Sequence, residues 1–197
     1  MNVRLFSLAL FAITLSPPSV RAGNIVLNPG FESGLAFWTV NNNSSPAWFP
    51  DTFGNSGNND IESICAGSNC LDPVKGAFFF QNVPTVIGAL YNLNFSAFFE
   101  VGTPGQIDEI KVTWGPSTAL DIVNPAVPDD TYFQYSASNL LATSTTTRLE
   151  FFGREDAIGG LQGVTDISVT AAPEPSTLLL ISVALAIGAG LRRRHLI

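Results

Sequence analysis

Residues 91–99 read Tyr-Asn-Leu-Asn-Phe-Ser-Ala-Phe-Phe, so in an extended chain Tyr91, Leu93, Phe95, Ala97 and Phe99 share one side while Asn92, Asn94 and Ser96 share the other. A period of two, carried by aromatic and branched residues, is the signature of a half-buried strand. Residues 108–114 repeat it, with Ile110, Val112 and Trp114 on the apolar side and Glu109, Lys111 and Thr113 on the polar one. Shorter runs of the same kind lie at 24–28, 37–40, 78–83, 132–136, 147–152 and 164–170, separated by clusters of Gly, Pro, Asn and Asp. No ten-residue stretch between them has helical periodicity. The fold expected is all-β: an antiparallel two-sheet β-sandwich, each sheet apolar on its inner face. Residues 41–73, rich in Asn, Ser and Gly, read as an elaborated loop at one end of the sandwich, where binding surfaces concentrate.

Both ends of the chain differ from this middle. Residues 1–4 carry one arginine, residues 5–15 are almost continuously apolar, and Val20-Arg21-Ala22 fits a small-residue cleavage site, so residues 1–22 read as a secretory signal peptide cut between Ala22 and Gly23 by signal peptidase. At the other end, Pro173-Glu174-Pro175 precedes an apolar run to Leu191, which is closed by Arg192, Arg193 and Arg194. As a helix, residues 176–191 would reach roughly 24 Å, less than the ~30 Å hydrocarbon core of a bilayer, so the segment is a marginal transmembrane helix. The arginines resist translocation, which leaves the domain on the outer side of the inner membrane. The chain thus divides into a signal peptide at 1–22, a β-sandwich domain at 23–170 and a tail at 171–197.

Between the ends only Lys75, Lys111, Arg148 and Arg154 are basic, whereas all sixteen acidic residues lie from Glu32 to Glu174, a net charge of −12 for that segment. Nucleic acid is not a partner of such a surface, because phosphate-backbone affinity comes from clustered Lys and Arg. The one histidine is His195, in the tail, so the domain has no imidazole for a Ser-His-Asp relay or a histidine metal site. Paired carboxylates are the remaining catalytic option, a small glycosidase. Adjacent acids such as Asp108-Glu109 face opposite ways on a strand, however, and no enzyme is expected. Export favours a disulfide between Cys65 and Cys70, closed through a Gly67-Ser68-Asn69 turn; a zinc pair is the alternative, without further ligands of matching type.

The order Pro-Glu-Pro, short apolar helix, arginine cluster resembles the PEP-CTERM sorting signal of Gram-negative bacteria. The resemblance covers about the last 25 residues and implies recognition by an exosortase, cleavage near Pro173-Glu174-Pro175, and delivery to the cell surface or extracellular matrix among exopolysaccharide. A simple C-terminal tail anchor is the rival reading. Asn24-Ile-Val-Leu-Asn-Pro-Gly-Phe-Glu-Ser-Gly34, followed by Trp38-Thr39-Val40, resembles the opening of galactose-binding-like jelly rolls, which include many carbohydrate-binding modules. Residues 81–83, 88–95, 148–151 and 164–169 continue the match. In that family a structural calcium ion often joins the first strand region to the last, and Glu32 and Asp166 stand at the matching places, although the closing motif has Thr165 where a second acid is usual. The alternative is that both are solvated. For a sugar ligand, Trp48 and Phe49 are the candidate stacking rings, unless they fold back on the core as loop hydrophobes. The role these features imply is that of a secreted, non-enzymatic surface protein associated with polysaccharide, or, more narrowly, a specific carbohydrate-binding module.

Overall fold

The computed structural model describes residues 23–42, 48–51, 59–65, 68–72, 76–100, 107–128, 131–156 and 161–173. The signal peptide, the apolar tail segment, Ala22, Glu174, Pro175 and Arg192 to Arg194 lie outside them. Among the described residues ten strands are formed: β1 (Thr39–Asn42), β2 (Phe49–Asp51), β3 (Asp60–Ser63), β4 (Ala77–Pro84), β5 (Leu90–Phe99), β6 (Asp108–Trp114), β7 (Ser117–Val123), β8 (Phe133–Leu141), β9 (Thr146–Glu155) and β10 (Gln162–Ala171). They pair antiparallel into two five-stranded sheets. The first has the order β1-β4-β9-β6-β7 and the second β2-β3-β10-β5-β8. No α-helix occurs among the described residues, and no helix there is long and apolar enough to cross a membrane.

The strand alternation read from residues 91–99 and 108–114 sets the inner faces. Tyr91, Leu93, Phe95, Ala97 and Phe99 of β5 and Ile110, Val112 and Trp114 of β6 are all buried in one core cluster. The centre of that cluster is Phe79 of β4. Its ring stacks on Phe151 of the neighbouring strand at 4.8 Å between centroids, and it meets the edges or faces of Phe31, Trp38 and Trp48 at 5.9, 5.2 and 4.8 Å. Aromatic contacts of this geometry add to the area that the rings bury. Phe31 enters from the Pro29-Gly30 turn, where its N–H donates to Asn28 O at 3.3 Å.

Three segments depart from the sequence reading. Residues 24–28 are not a ladder strand. Asn24 replaces the ladder with its side chain, donating to Ile167 O and accepting from Val169 N, while Ile25 N–H donates to Val169 O. The stretch 41–73 is more than a loop, since it supplies β2 and β3, which complete the second sheet by pairing Phe49 with Glu62 and Asp51 with Asp60. Ile61 is the inward residue of β3 and is fully buried, which is too little apolar signal to mark a strand. β7 is a strand the periodicity does not predict, since Ala119, Leu120, Ile122 and Val123 do not alternate and Ile122 is its one buried residue. Cys65 and Cys70 form a disulfide across the 3₁₀ turn Ser68–Leu71, and both are buried.

Removing Phe79 empties the point at which Phe151 meets Phe31, Trp38 and Trp48 of the connecting segments. Phe79→Ala should cost about 3–5 kcal/mol, the range for deleting a fully buried Phe. Urea unfolding followed by tryptophan fluorescence reads this as a fall in the midpoint without a change of slope.

Candidate functional site

The first sheet presents an outer face that is aromatic at one end and charged at the other. On β4 the alternation that sends Phe79, Gln81 and Val83 inward turns Phe78, Phe80 and Asn82 outward. The register sets Phe80 beside Thr39 and Glu150, Asn82 beside Arg148, and Phe78 beside Phe152. The Arg148 guanidinium lies 3.6 Å from the Phe80 ring centroid and 5.3 Å from that of Phe78, and it donates to Glu150 Oε1 at 2.6 Å. A flat cation is thus held between ring faces and a carboxylate. Burial raises the Glu150 carboxyl above its ordinary range, and the adjoining Arg148 opposes that shift.

At the β1–β4 edge this face opens into a groove of about 260 Å³ lined by Ile25, Leu27, Phe37, Thr39, Phe80, Gln81, Asn82 and Pro84. Its walls are built by two polar side chains. Gln81 grips Leu27 at both ends of its backbone, accepting from the N–H at 2.8 Å and donating to the carbonyl at 2.9 Å. Asn28 knits the following turn by donating to Gly34 O and Ala36 O and accepting from Ser33 N. That turn ends at Phe37, which is 66% exposed with φ at 71°. A bulky residue in the left-handed region is strained, of order 1–3 kcal/mol, and persists only where its surroundings dictate it. Here the dictating neighbour is Trp38, buried against Phe31 and Phe79 with its indole N–H donating to Asn28 O at 3.0 Å. Turning Trp38 inward leaves the Phe37 ring in water at the groove that Phe80 also lines. The groove therefore offers two rings together with amide and hydroxyl groups, the mixture that an apolar pocket with a few orienting polar groups requires.

The residues singled out from sequence are placed differently. Of the two readings for Trp48, the structure takes the loop hydrophobe folded back on the core and not the stacking ring: it is 1% exposed, its indole donates to Ala77 O at 3.1 Å, and it packs on Phe79. Gly153 makes room for it, because a Cβ there would stand 2.6 Å from Trp48 Cζ2. Phe49 is 36% exposed on edge strand β2 of the second sheet, away from the groove. Glu32 and Asp166 are both exposed, on segments joined by the Ile167 N–H donating to Pro29 O, and no third acid groups with them among the described residues. Pro173 is exposed just after β10. Sequence reasoning missed Phe37, Phe80 and Asn82. The signal for Phe80 was present in Phe78-Phe79-Phe80, since alternation cannot bury all three rings on one side.

Three solved structures share this architecture. The carbohydrate-binding module TmCBM61, determined in complex with β-1,4-galactotriose, superposes with a TM-score of 0.55 at 16% identity, covering 76% of this chain and 99% of that one. A putative sugar-binding protein from Bacteroides thetaiotaomicron gives 0.53 at 13% identity, covering 76% and 100%. The K1 cleaved adhesin domain of Lys-gingipain from Porphyromonas gingivalis gives 0.53 at 14%, covering 73% and 96%. The sandwich is thus of the kind found in carbohydrate-binding modules, and at these identities the likeness is one of fold. Residues 171–194 match the PEP-CTERM protein-sorting motif, beginning at the last residue of β10. No curated protein matches the chain.

The opposite end of the same face is acidic. Burial, together with a hydrogen bond and charge repulsion from Asp121, pushes the Glu109 carboxyl from 4.5 up to about 7, against the pull of Arg154 and Lys111. The folded chain therefore holds this proton more tightly than the unfolded one. Stability contributed at low pH is lost as pH rises from about 4.5 through 7. Glu109→Gln should raise the melting temperature at pH 8 and leave it nearly unchanged at pH 4, as read by thermal scans at the two pH values.

Proposed function

We propose that this chain is an exported, non-catalytic surface protein that binds extracellular polysaccharide in the groove between Phe37 and Phe80. The observation that carries the reading is the Phe37 ring itself. A strained backbone holds it in solvent at a groove that Phe80, Thr39, Gln81 and Asn82 also line. Sugar rings present apolar C–H faces bordered by hydroxyls, which is the complement of such a groove. The net charge of −7 over the whole chain favours neutral glycans over anionic ones. The matching folds of carbohydrate-binding modules support the same reading, as does the absence of any histidine before His195.

The tail supports the location. A PEP-CTERM motif implies export and exosortase processing, which in this reading removes the apolar helix after the domain has crossed the inner membrane and leaves the sandwich at the cell surface or in the matrix of a Gram-negative bacterium. Signal peptidase acts at the other end, between Ala22 and Gly23.

Two measurements test these statements. Affinity electrophoresis through neutral β-linked galactans, glucans and xylans should retard the protein. Phe37→Ala and Phe80→Ala should each weaken retention at least tenfold, about 1.4 kcal/mol, with Phe37→Ala leaving the melting temperature unchanged or higher. Equal mobility in all neutral gels, or retention that survives both substitutions, overturns the groove. Separately, the intact mass of protein recovered from its host should correspond to loss of residues 1–22 and of the segment beyond the Pro-Glu-Pro region. A mass that retains residues 176–197 overturns the processing.

A further inference from the structure

The second sheet carries, on its outer face, a feature that the groove does not use. Asp60 and Glu62 alternate with the inward Ile61 on β3, and Asp51 of β2 stands directly opposite Asp60. Although they face away from the core, Asp60 is fully buried and Glu62 is 5% exposed. One carboxylate oxygen from each of the three acids lies within 4.8 Å of the others. None of the strands β2, β3, β5, β8 and β10 contains a lysine or arginine. The ion pairs among the described residues, Arg148–Glu150 and Arg154–Asp156, belong to the first sheet and its β9 end. Buried carboxylates without a cationic partner are costly, and either protons or a bound cation must offset them.

Two further details point to a cation. Asp60 Oδ2 accepts the Tyr132 hydroxyl proton, which holds the carboxylate in one orientation, while its buried Oδ1 has no hydrogen-bond partner. Gly163 on β10 lets the Asp60 carboxylate approach the sheet closely, since a Cβ there would stand 2.7 Å from Asp60 Oδ2 and 2.1 Å from the Phe98 ring. Phe98 and Tyr132 pack edge to face at 5.0 Å and wall the site on that side. Oxygens up to 4.8 Å apart suit opposite ligands of one ion with metal–oxygen distances of about 2.4 Å.

We propose that Asp51, Asp60 and Glu62 bind a hard divalent cation of the calcium class, with Tyr132 as the positioning residue for Asp60. Oxygen-only donors of high charge select calcium over the softer transition metals, and carbonyls and water complete the six to eight ligands it takes. Because the donors come from adjacent strands, the ion ties the three-residue edge strand β2 to β3. The site is on the sheet opposite the groove, so it does not depend on the carbohydrate reading.

The test uses the purified full chain, stripped with EDTA and titrated with CaCl2 by calorimetry and thermal scanning. One ion should bind per chain and raise the melting temperature. Glu62→Gln and Asp51→Asn should each weaken calcium binding at least tenfold, while in EDTA both variants melt at or above the temperature of the unsubstituted chain because each removes a like charge. Asp166→Asn should bind calcium normally. Absence of heat and of any thermal shift with CaCl2 overturns the proposal. So does binding that survives in Glu62→Gln and Asp51→Asn, or binding that is lost only in Asp166→Asn.

Discussion

The contacts of the Phe79 ring govern more than core packing. Phe79 and Phe151 stack within the first sheet, but Trp38 and Trp48 reach the same ring from segments that flank short strands at the edges of the two sheets. Neither segment has enough ladder hydrogen bonds to place itself. β1 has four residues and β2 three, so burial of an indole against Phe79 supplies the fixing that backbone pairing cannot. Each tryptophan then determines what its neighbour does. Trp38 pointing inward forces Phe37 outward into the groove, and Trp48 pointing inward starts β2 in the register that sets Asp51 against Asp60. A groove on one sheet and an acid cluster on the other hang from one aromatic centre.

The two outer faces divide the charge unequally. The described cations, Lys111, Arg148 and Arg154, all lie on the first sheet, where Arg148 and Arg154 pair with acids and Arg148 also lies over two phenylalanine rings. That face can therefore carry Glu150 and still offer neutral groups at the groove. The second sheet has acids and no cations on its strands. Its buried carboxyls rise above their ordinary range through burial and mutual repulsion, and the Tyr132 hydroxyl donating to Asp60 opposes part of that rise.

Much of the architecture was legible because residues 91–99 and 108–114 alternate without interruption, and the alternation named the buried face of both strands correctly. Strands β2, β3 and β7 were not legible: β2 is three residues long, β3 has Ile61 as its one apolar residue, and Ala119, Leu120, Ile122 and Val123 of β7 do not alternate. Such strands form because neighbouring edges offer hydrogen-bond partners, which is information held elsewhere in the chain. The site was less legible still. Trp48 looked like a ligand ring because it stands among Ser, Pro and Asp, yet the gap above Gly153 receives it; Phe37 looked like strand sequence and is the exposed ring.

What the sequence determined by itself is whatever depends on local order: the alternation that makes sheets, the spacing that permits the Cys65–Cys70 bridge, and the sorting motif at 171–194, which is read as a linear segment. Tertiary structure alone decided which rings face solvent and which acids face each other. Those outcomes depend on where residues from positions as distant as 51 and 163 come to rest, and pairing across a sheet is not written in the neighbours of either residue.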